Sequence, residues 1–277
     1  RHRGVAPGLE EPVVEAAGDV DVVTPRAGDF KGSSRTGKLR HLTLPSVPYQ
    51  GTNRIRYAVS YLSFFFLALL RVTAGRVGKR YAVVHVCNMP DFLVFAAVLA
   101  KPLGTKVLLD IHDSMPQLFL VKFGGRKEDF RYKLVVLQER LSAAFADMVM
   151  TVHEPFKNDI LARDGLDPRK ITVVANFPDG EVFRPVEDYR PGLPLQLIYH
   201  GTIAPRFGFE TVLDALARIQ VPGKGRIKIV GEGEYANRLK ALVRERGLGG
   251  IVDFDAHAVG VKLLPDMLTR YHLGMVC

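Results

Sequence analysis

Two glycine-rich segments in the second half of the chain carry residue types suited to holding a phosphate. The first contains Gly201 and Arg206, and the second contains Gly231 and Gly233. Each is predicted to be a buried strand that breaks at glycine and restarts as a helix, which points backbone N–H groups at an anion. The planar guanidinium of Arg206 suits a diphosphate better than a lysine would. Two such turns, one strand–helix unit apart, predict one phosphate-bearing ligand.

Further motifs resemble those of the retaining GT-B-fold glycosyltransferases, the large family that includes sucrose synthase and the mannosyltransferases of polysaccharide assembly. They are Asp-Ile-His-Asp at 110–113, Asn-Phe-Pro at 176–178 and Phe-Arg-Pro at 183–185. Together with the glycine segments, their order and spacing extend the resemblance over most of the chain. The family often has basic residues where this chain has Thr202 and Phe207, so Arg206 must supply the positive charge alone.

The resemblance implies transfer of a hexose-type sugar from a nucleotide-diphosphate donor to a glycan or lipid-linked acceptor in cell-surface polysaccharide or glycolipid synthesis. It implies retention of anomeric configuration, no cofactor and no obligatory metal. His112 would face the interdomain cleft, contact the transferred sugar and act as the catalytic residue. The remaining candidates are Gly201, Thr202, Arg206, Gly231, Glu232, Gly233 and His257 on the donor side, and Asn88 and Asp113 on the acceptor side.

Several of these residues also have a purely structural interpretation. The glycines could simply make tight strand-to-helix turns. His112 could form a loop hydrogen bond, Asn88 could cap a helix, and Asp113 is expected to cap the helical turn that follows it. His85 and His153 are predicted to be buried, satisfied histidines, because their spacings match no metal motif.

Three other functions share part of the pattern. Gly231-x-Gly233-x-x-Ala236, with Asp253 and Asp255 about 20 residues on, matches a dinucleotide-binding fingerprint. That fingerprint normally opens its domain, whereas here a complete strand–turn–helix precedes it. A GT-B-fold sugar-nucleotide epimerase would need paired acid and base residues in the cleft, and no convincing carboxylate pair is present. A non-catalytic, membrane-associated partner is the third alternative.

The elements that must position these residues alternate between strand and helix. Continuous Val/Ile/Leu strands between helices predict parallel sheets covered on both faces. The predicted strands are 20–24, 83–86, 106–111, 148–152, 171–174, 195–199, 227–230, 251–254 and 273–276. The predicted helices are 54–73, 92–100, 128–146, a short one after Pro155, 210–219, 235–246 and 261–269. The fold class is therefore α/β, with two doubly wound, Rossmann-like domains of GT-B type.

A Pro- and Gly-rich stretch between residues 183 and 195 predicts a domain boundary. It divides the chain into an acceptor-side domain, 1–185, and a nucleotide-sugar domain, 186–277. We expect a fragment truncated at both ends, with an incomplete second domain. Residues 1–18 show no clear strand, and the family's donor-binding glutamate pair would fall beyond Cys277.

Positive charge is concentrated in one window of this +9 chain. Residues 31–80 contain ten Lys or Arg and no Asp or Glu, and they include an uncharged run, 57–70, centred on three phenylalanines. Fourteen helical residues reach about 21 Å, short of the roughly 30 Å hydrocarbon core. The window could bind an anionic membrane surface, or its helix could be a core helix with solvated basic ends. No nucleic-acid motif accompanies the charge.

Composition and cysteine content predict a packed protein of the cytoplasm, and the basic window leaves a peripheral position on the cytoplasmic membrane face open. Hydrophobic residues make up 47% and charged residues 24%, which excludes a disordered chain. The two cysteines, Cys87 and Cys277, are too few and too far apart for a disulfide framework or a metal cluster. Cys87, at the end of an apolar strand, is expected to be a small core residue.

Overall fold

The computed structural model describes residues 19–25, 34–47, 54–78, 81–123, 125–185, 192, 194–219, 225–255, 257, 259–260 and 263–276. The chain forms two compact units, 1–176 and 177–277, so the observed boundary precedes the predicted one by nine residues. Residues 174–185 contain no helix or strand. Of the Pro- and Gly-rich stretch 183–195, residues 186–191 and 193 lie outside the described part, so its irregular structure stays a prediction. The predicted lack of a strand in 1–18 lies outside the described residues.

The described elements follow in chain order. The strands are β1 (Val20–Pro25), β2 (Ser34–Thr36), β3 (Leu39–Leu44), β4 (Val83–Cys87), β5 (Lys106–Ile111), β6 (Met148–Thr151), β7 (Ile171–Val173), β8 (Leu195–His200), β9 (Gly225–Val230), β10 (Val252–Asp255) and β11 (Leu273–Gly274). The α-helices are α1 (Arg54–Val77), α2 (Met115–Phe123), α3 (Phe130–Phe145), α4 (Glu154–Asp164), α5 (Phe209–Ile219), α6 (Ala236–Glu245) and α7 (Leu264–Leu268).

Some elements differ from the sequence-based expectation. The helix predicted at 92–100 is a 3₁₀ helix, Asp91–Ala97, because its apolar pattern does not distinguish i→i−3 from i→i−4 bonding. The last predicted strand, 273–276, is reduced to the two residues of β11. The helix predicted at 261–269 is α7, and residues 261–262 lie outside the described part. Strands β2 and β3 and helix α2 were not predicted.

The main sheet of the first unit has four parallel strands in the order β4–β5–β6–β7. Its core is built from the inward-facing residues of the central strands, which are fully or nearly fully buried: Val107, Leu109, Ile111 and Val149. Phe156 and Ile160 of α4 pack into the same cluster. Because the strands are parallel, their carboxyl ends lie at one edge of the sheet, where Asn88 follows β4 and His112 follows β5.

β1 belongs to a separate three-stranded sheet, β1–β3–β2, in which β1 and β3 are parallel and β2 is antiparallel. β1 is therefore a strand of a parallel pair, as its sequence predicts, but it does not join the main sheet, because the alternation of its residues does not specify its partner strand. Asp21 ties this sheet to its surroundings: its carboxylate accepts hydrogen bonds from Arg40 (2.8 Å), Arg71 (3.0 Å) and Tyr81. Burial raises the pKa of Asp21, but these bonds and the guanidinium charges outweigh it and lower the pKa to about 2.

Acidic residues just before the basic window neutralise part of its charge. Arg40 and Arg71 pair with Asp21, and Arg35 lies 3.7 Å from Asp19. The ten charges are therefore not uncompensated, because residues distant in sequence meet in the fold. The attraction of this window for an anionic surface is correspondingly weaker than the sequence suggests.

Helix α1 has one face in the core and one exposed apolar face. Ala68 and Val72 are buried, and Phe65 packs on Phe92 with ring centroids 5.8 Å apart. The opposite stripe is exposed and consists of Val59, Leu62, Phe66, Leu70 and Val77. Within α1, residues 58–77 have a mean hydropathy of 1.6 and are long and apolar enough to cross a membrane, with 22% of the span buried. The apolar stretch of α1 is therefore longer than the 14 uncharged residues, and its length does not exclude a membrane span.

Two histidines and a cysteine are more exposed than predicted. β4 alternates so that Val84 and Val86 pack against the core, while His85 and Cys87 face outward. The prediction that Cys87 is a core residue and His85 a buried one was wrong. Val84 and Val86 take the inward-facing positions of β4, which leaves the outward-facing positions to His85 and Cys87. His153 is also exposed, and its Nδ1 accepts the Phe156 N–H at 3.1 Å as the N-cap of α4.

The second unit contains a four-stranded parallel sheet in the order β10–β9–β8–β11. The first strand, β8, thus has β9 on one side and the last strand on the other, which is the order reversal of a Rossmann-like sheet. Phe209, Leu213 and Leu239 of α5 and α6 pack on Ile227 and Ile229 of β9. Ligands bind such sheets at the carboxyl ends of the strands, where the two glycine segments lie.

Candidate functional site

At the carboxyl edge of the first unit, one carboxylate holds two imidazoles. Oδ2 of Asp110, on β5, lies 3.1 Å from His85 Nε2 and 3.2 Å from His112 Nε2. The Asp110 side chain is 12% exposed, whereas those of His85 and His112 are 41% and 43% exposed. The mostly buried Asp110 carboxylate thus holds both rings, which stay accessible to solvent.

Hydrogen bonding to Asp110 changes the proton affinity of this cluster. The bond from His85 to Asp110, supported by Cys87, raises the pKa of His85 to about 9. Burial raises the pKa of Asp110, but the hydrogen bonds and charges of His85 and His112 outweigh this and lower it. His85 and Asp110 are therefore a charged pair at neutral pH.

Asn88 fixes the loop that carries His112. Its Oδ1 accepts the backbone N–H of His112 at 3.0 Å and of Asp113 at 3.5 Å, and its Nδ2 donates to the Asp113 carbonyl at 2.5 Å. Asn176 Nδ2 lies 3.4 Å from His112 Nδ1, so both ring nitrogens of His112 have protein partners. The structure thus brings the acceptor-side candidates Asn88 and Asp113 together with His112.

Asp113 does not cap the following helix as expected. Ser114, the next residue, takes that position, because its Oγ accepts the N–H of Gln117 at 3.3 Å in the first turn of α2. The carboxylate of Asp113 remains exposed at the edge of the cluster. A hydroxyl and a carboxylate cap equally well, so adjacent Asp and Ser leave the choice open in the sequence.

In the second unit, the two glycine loops lie directly against each other. Gly201 donates its N–H to the Val230 carbonyl at 3.0 Å, and Ile203 donates to Glu232 at 2.9 Å. A Cβ on Gly231 would lie 1.8 Å from the Gly201 oxygen, and one on Gly233 would lie 2.0 Å from the Ile203 oxygen. These two glycines are therefore required for close approach of the loops, not only for turning the chain.

The loops offer backbone N–H groups as a predicted anion site requires. Among the described residues, no hydrogen-bond acceptor pairs with the N–H of Thr202, Glu232 or Gly233. Helices do not restart at once: α5 begins eight residues after Gly201 and α6 begins five residues after Gly231. The predicted helices 210–219 and 235–246 are confirmed to within one residue at their starts, and a 3₁₀ turn and an open loop separate them from the glycines. The donors are loop amides.

Arg206 is positioned for electrostatic contact with a ligand. It lies in a 3₁₀ helix, Pro205–Phe207, and its guanidinium stacks on the Phe207 ring at 4.6 Å from the centroid. The side chain is exposed and forms no salt bridge with the described carboxylates. Stacking holds the guanidinium, and no described carboxylate neutralises its charge. All of its N–H donors are therefore available to a ligand.

Two other predicted donor residues border these loops. His257 follows β10, is exposed, and its Nδ1 lies 2.9 Å from Asp255 Oδ1. This hydrogen bond lowers the pKa of Asp255. The Asp255 carbonyl accepts the N–H of Gly231 at 3.0 Å, so His257 lies one strand away from the second loop. Glu232 has an exposed side chain, while its carbonyl joins the two loops.

A pocket of about 260 Å³ lies where the strand order reverses, between the ends of β8 and β11. Its lining includes Ile198, His200, Tyr271 and Met275. Gly201 follows His200 directly, so the first glycine loop begins at the pocket wall. A reversal point with a pocket and free N–H groups is the usual ligand position in an open parallel sheet.

This geometry agrees with the result of comparing the chain with known protein families. Residues 6–176, more than half of the chain, match the glycosyl transferase 4-like domain. The chain belongs to this family. A search of curated proteins found no match.

Solved structures of GT-B glycosyltransferases share the fold at low sequence identity. The lipopolysaccharide outer core galactosyltransferase WaaB, in its apo form, has 17% identity and a TM-score of 0.51, over 76% of this chain and 54% of WaaB. HepE of Anabaena, in complex with UDP and glucose, has 14% identity and a TM-score of 0.58, over 85% and 59%. The likeness shows two Rossmann-like units of GT-B type. The chain spans between half and three fifths of each of these relatives.

A variant of TarM from S. aureus, in complex with fondaparinux, alpha-GlcNAc-glycerol and UDP, is also similar. Its identity is 13% and its TM-score 0.56, over 76% of this chain and 40% of that protein. Nucleotides and glycans thus recur among the ligands of proteins that share this fold.

Residue-by-residue sequence reasoning missed Asp110 and Asn176 as members of the site, although both stand in the quoted motifs. A signal was present for Asp110, since it is the one acidic residue in a strand that is apolar after its exposed first residue, Lys106. Asn176 offered none, because its contact with His112 spans 64 positions. The dinucleotide alternative loses support: the fingerprint lies on the second strand of its sheet, and Asp253 is paired with Lys228 at 2.7 Å.

Proposed function

We propose that this chain is part of a glycosyltransferase that moves a hexose-type sugar from a nucleotide-diphosphate donor to a glycan or lipid-linked acceptor. The supporting observation is the pair of contacting glycine loops, whose free N–H groups and stacked Arg206 surround one end of the second sheet. Negative charge builds on the leaving diphosphate as the C1–O bond breaks, so such donors stabilise the transition state more than the ground state.

We further propose that transfer retains the anomeric configuration and needs neither cofactor nor metal. The guanidinium and the loop amides supply the positive potential that a divalent cation would otherwise supply. His112 contacts the sugar, and Asp110 and Asn176 hold its ring in place. Asn88 and Asp113 border the acceptor.

The donor site is tested by nucleotide binding to this chain. Isothermal titration with uridine, guanosine and adenosine diphosphates, and with the matching nucleosides, should identify one diphosphate that binds well above its nucleoside. Arg206→Ala should weaken diphosphate binding by about 10- to 150-fold, since a hydrogen bond to a charged group contributes about 1.5 to 3 kcal/mol. Nucleoside binding should change by less than about twofold.

Arg218→Ala is the matched control for this experiment, because Arg218 is an exposed arginine in the last turn of α5. It should leave both affinities unchanged. Equal losses for diphosphate and nucleoside in Arg206→Ala would contradict the proposed role. Absence of any nucleotide binding by the wild-type chain would favour a non-catalytic partner instead.

We also propose that the first unit rests on the cytoplasmic face of a membrane through the exposed stripe of α1. Val59, Leu62, Phe66 and Leu70 recur every three or four residues and therefore share one face. The other face of α1 packs in the core of its own unit, which favours a helix lying in the interface over one that spans. Insertion of the stripe contributes most of the affinity, because three of the nearby arginines pair with Asp19 and Asp21.

A further inference from the structure

Three metal-binding side chains meet on the outward face of β4 and β5. His85 and Cys87 are two residues apart on β4, so they point to the same side of the sheet. Cys87 is the register partner of Asp110 on β5. One ligand atom from each side chain lies within 4.8 Å of the other two. Strand pairing, rather than flexible loops, brings the three groups together.

The separations fit a tetrahedral zinc ion. Bond lengths of about 2.0 to 2.3 Å to nitrogen, oxygen and sulfur require N···O and N···S separations of about 3.4 and 3.6 Å. His85 Nε2 lies 3.1 Å from Asp110 Oδ2 and 4.0 Å from Cys87 Sγ. Cys87 Sγ and the Asp110 carboxylate oxygen lie within 4.8 Å of each other, so side-chain adjustments of up to about 1.2 Å would place all three groups at ligand distance.

We propose that His85, Cys87 and Asp110 bind one Zn²⁺, with water in the fourth position. The mixture of thiolate, imidazole and carboxylate selects zinc over Mg²⁺ or Ca²⁺, which prefer oxygen ligands. Cys87 is exposed and His85 half-exposed, so the ion has a path from solvent. The sequence spacing matched no metal motif because the third ligand comes from the neighbouring strand.

Asp110 couples this site to His112 without making His112 a ligand. The His112 Nε2 that lies 3.2 Å from Asp110 Oδ2 would orient the ligating carboxylate from outside the metal shell. The site is independent of nucleotide binding, which takes place in the other unit.

Cobalt and zinc titration of the whole chain tests the proposal. Under a non-chelating phosphine reductant, one equivalent of Co²⁺ should produce a near-ultraviolet thiolate-to-cobalt charge-transfer band, and Zn²⁺ should abolish it by displacement. Cys87→Ser should lose the band, and His85→Ala should weaken Zn²⁺ binding at least about 10-fold. Both side chains are exposed, so the variants should fold, which circular dichroism without metal verifies.

Two control variants separate this site from adventitious binding. Cys277→Ser removes the other cysteine and should keep the band. His153→Asn removes an exposed histidine elsewhere while leaving a residue that can still cap α4, and it should keep the zinc affinity. The proposal is overturned if the wild-type chain binds no Zn²⁺, if Cys87→Ser binds it as tightly as wild type, or if the band follows Cys277.

Discussion

Replacing Gly231 by alanine should separate the two glycine loops of the second unit. The new Cβ would lie 1.8 Å from the Gly201 carbonyl oxygen, and the backbone φ of +147° is unfavourable for alanine. The unusual φ costs about 1–3 kcal/mol. Relieving the clash also breaks the hydrogen bonds Ile203 N–H to Glu232 and Tyr235 N–H to Ile203, at about 1 kcal/mol each. We expect a total loss of about 3–5 kcal/mol.

The chain supplies graded controls for this substitution. At Gly201, φ is +143° but the nearest atom to a Cβ is the Tyr199 hydroxyl oxygen at 3.3 Å, so Gly201→Ala should cost the backbone strain and a small shift of the Tyr199 side chain. Gly250 has nothing within 4 Å of its Cβ and no positive φ. Gly250→Ala should therefore change stability by less than about 0.5 kcal/mol. The expected order of destabilisation is Gly231, then Gly201, then Gly250.

Guanidinium unfolding followed by circular dichroism measures these losses, and hydrogen exchange followed by mass spectrometry locates them. Exchange should accelerate in residues 195–235 for Gly231→Ala, while the first unit remains protected. The same variant should lose nucleoside-diphosphate binding, since the free N–H groups would no longer converge. A Gly231→Ala chain within 0.5 kcal/mol of wild type, with unchanged exchange, would refute the close-approach explanation.

Three further predictions address the first unit. His112→Ala should lower the transfer rate at least tenfold while leaving donor affinity within about threefold, and unchanged turnover would make His112 structural. The double variant Phe66→Ser, Leu70→Ser should sediment less with anionic liposomes than wild type. Ala74→Ser, which changes an exposed residue with a small side chain, should not reduce sedimentation. Salt should weaken wild-type binding only modestly. Burial raises the pKa of Glu139 from 4.5 to about 7 despite its bond to Arg163, so the stability that protonated Glu139 contributes should be lost as pH rises from about 4.5 through 7. Thermal unfolding should show a flatter pH profile for Glu139→Gln, and an equally steep profile would contradict the shift.

The sequence predicts the parallel sheets well because apolar runs such as β5, β6 and β9 are bounded by glycine, proline or charged residues. It does not predict partner choice. The pairing of β1 with β3 and the meeting of Arg71 with Asp21 depend on contacts across 19 and 50 positions. Local periodicity carries no information at that distance.

For the candidate site, glycines were the informative residues because a turn or a close contact demands them. The identity of the first-unit histidine cluster was less predictable. Residues of an edge strand alternate between its two faces, and the sequence does not show which face is buried. The prediction placed His85 and Cys87 on the buried face. The folded sheet shows that both residues lie on its exposed face and that Cys87 lies opposite Asp110.

The strand order of the second unit has a consequence for the sequence of events during folding. β9 and β10 add to β8 through neighbouring connections, whereas β11 must return across the whole sheet to pair with β8 through Leu197 and Ile198. The His272 and Met275 N–H groups that close this pairing lie 76 and 77 positions from their acceptors. Loop-closure entropy makes such a contact late and slow. On a ribosome, therefore, the glycine loops form first, and the wall of the pocket beside them is completed only after residue 276 has emerged.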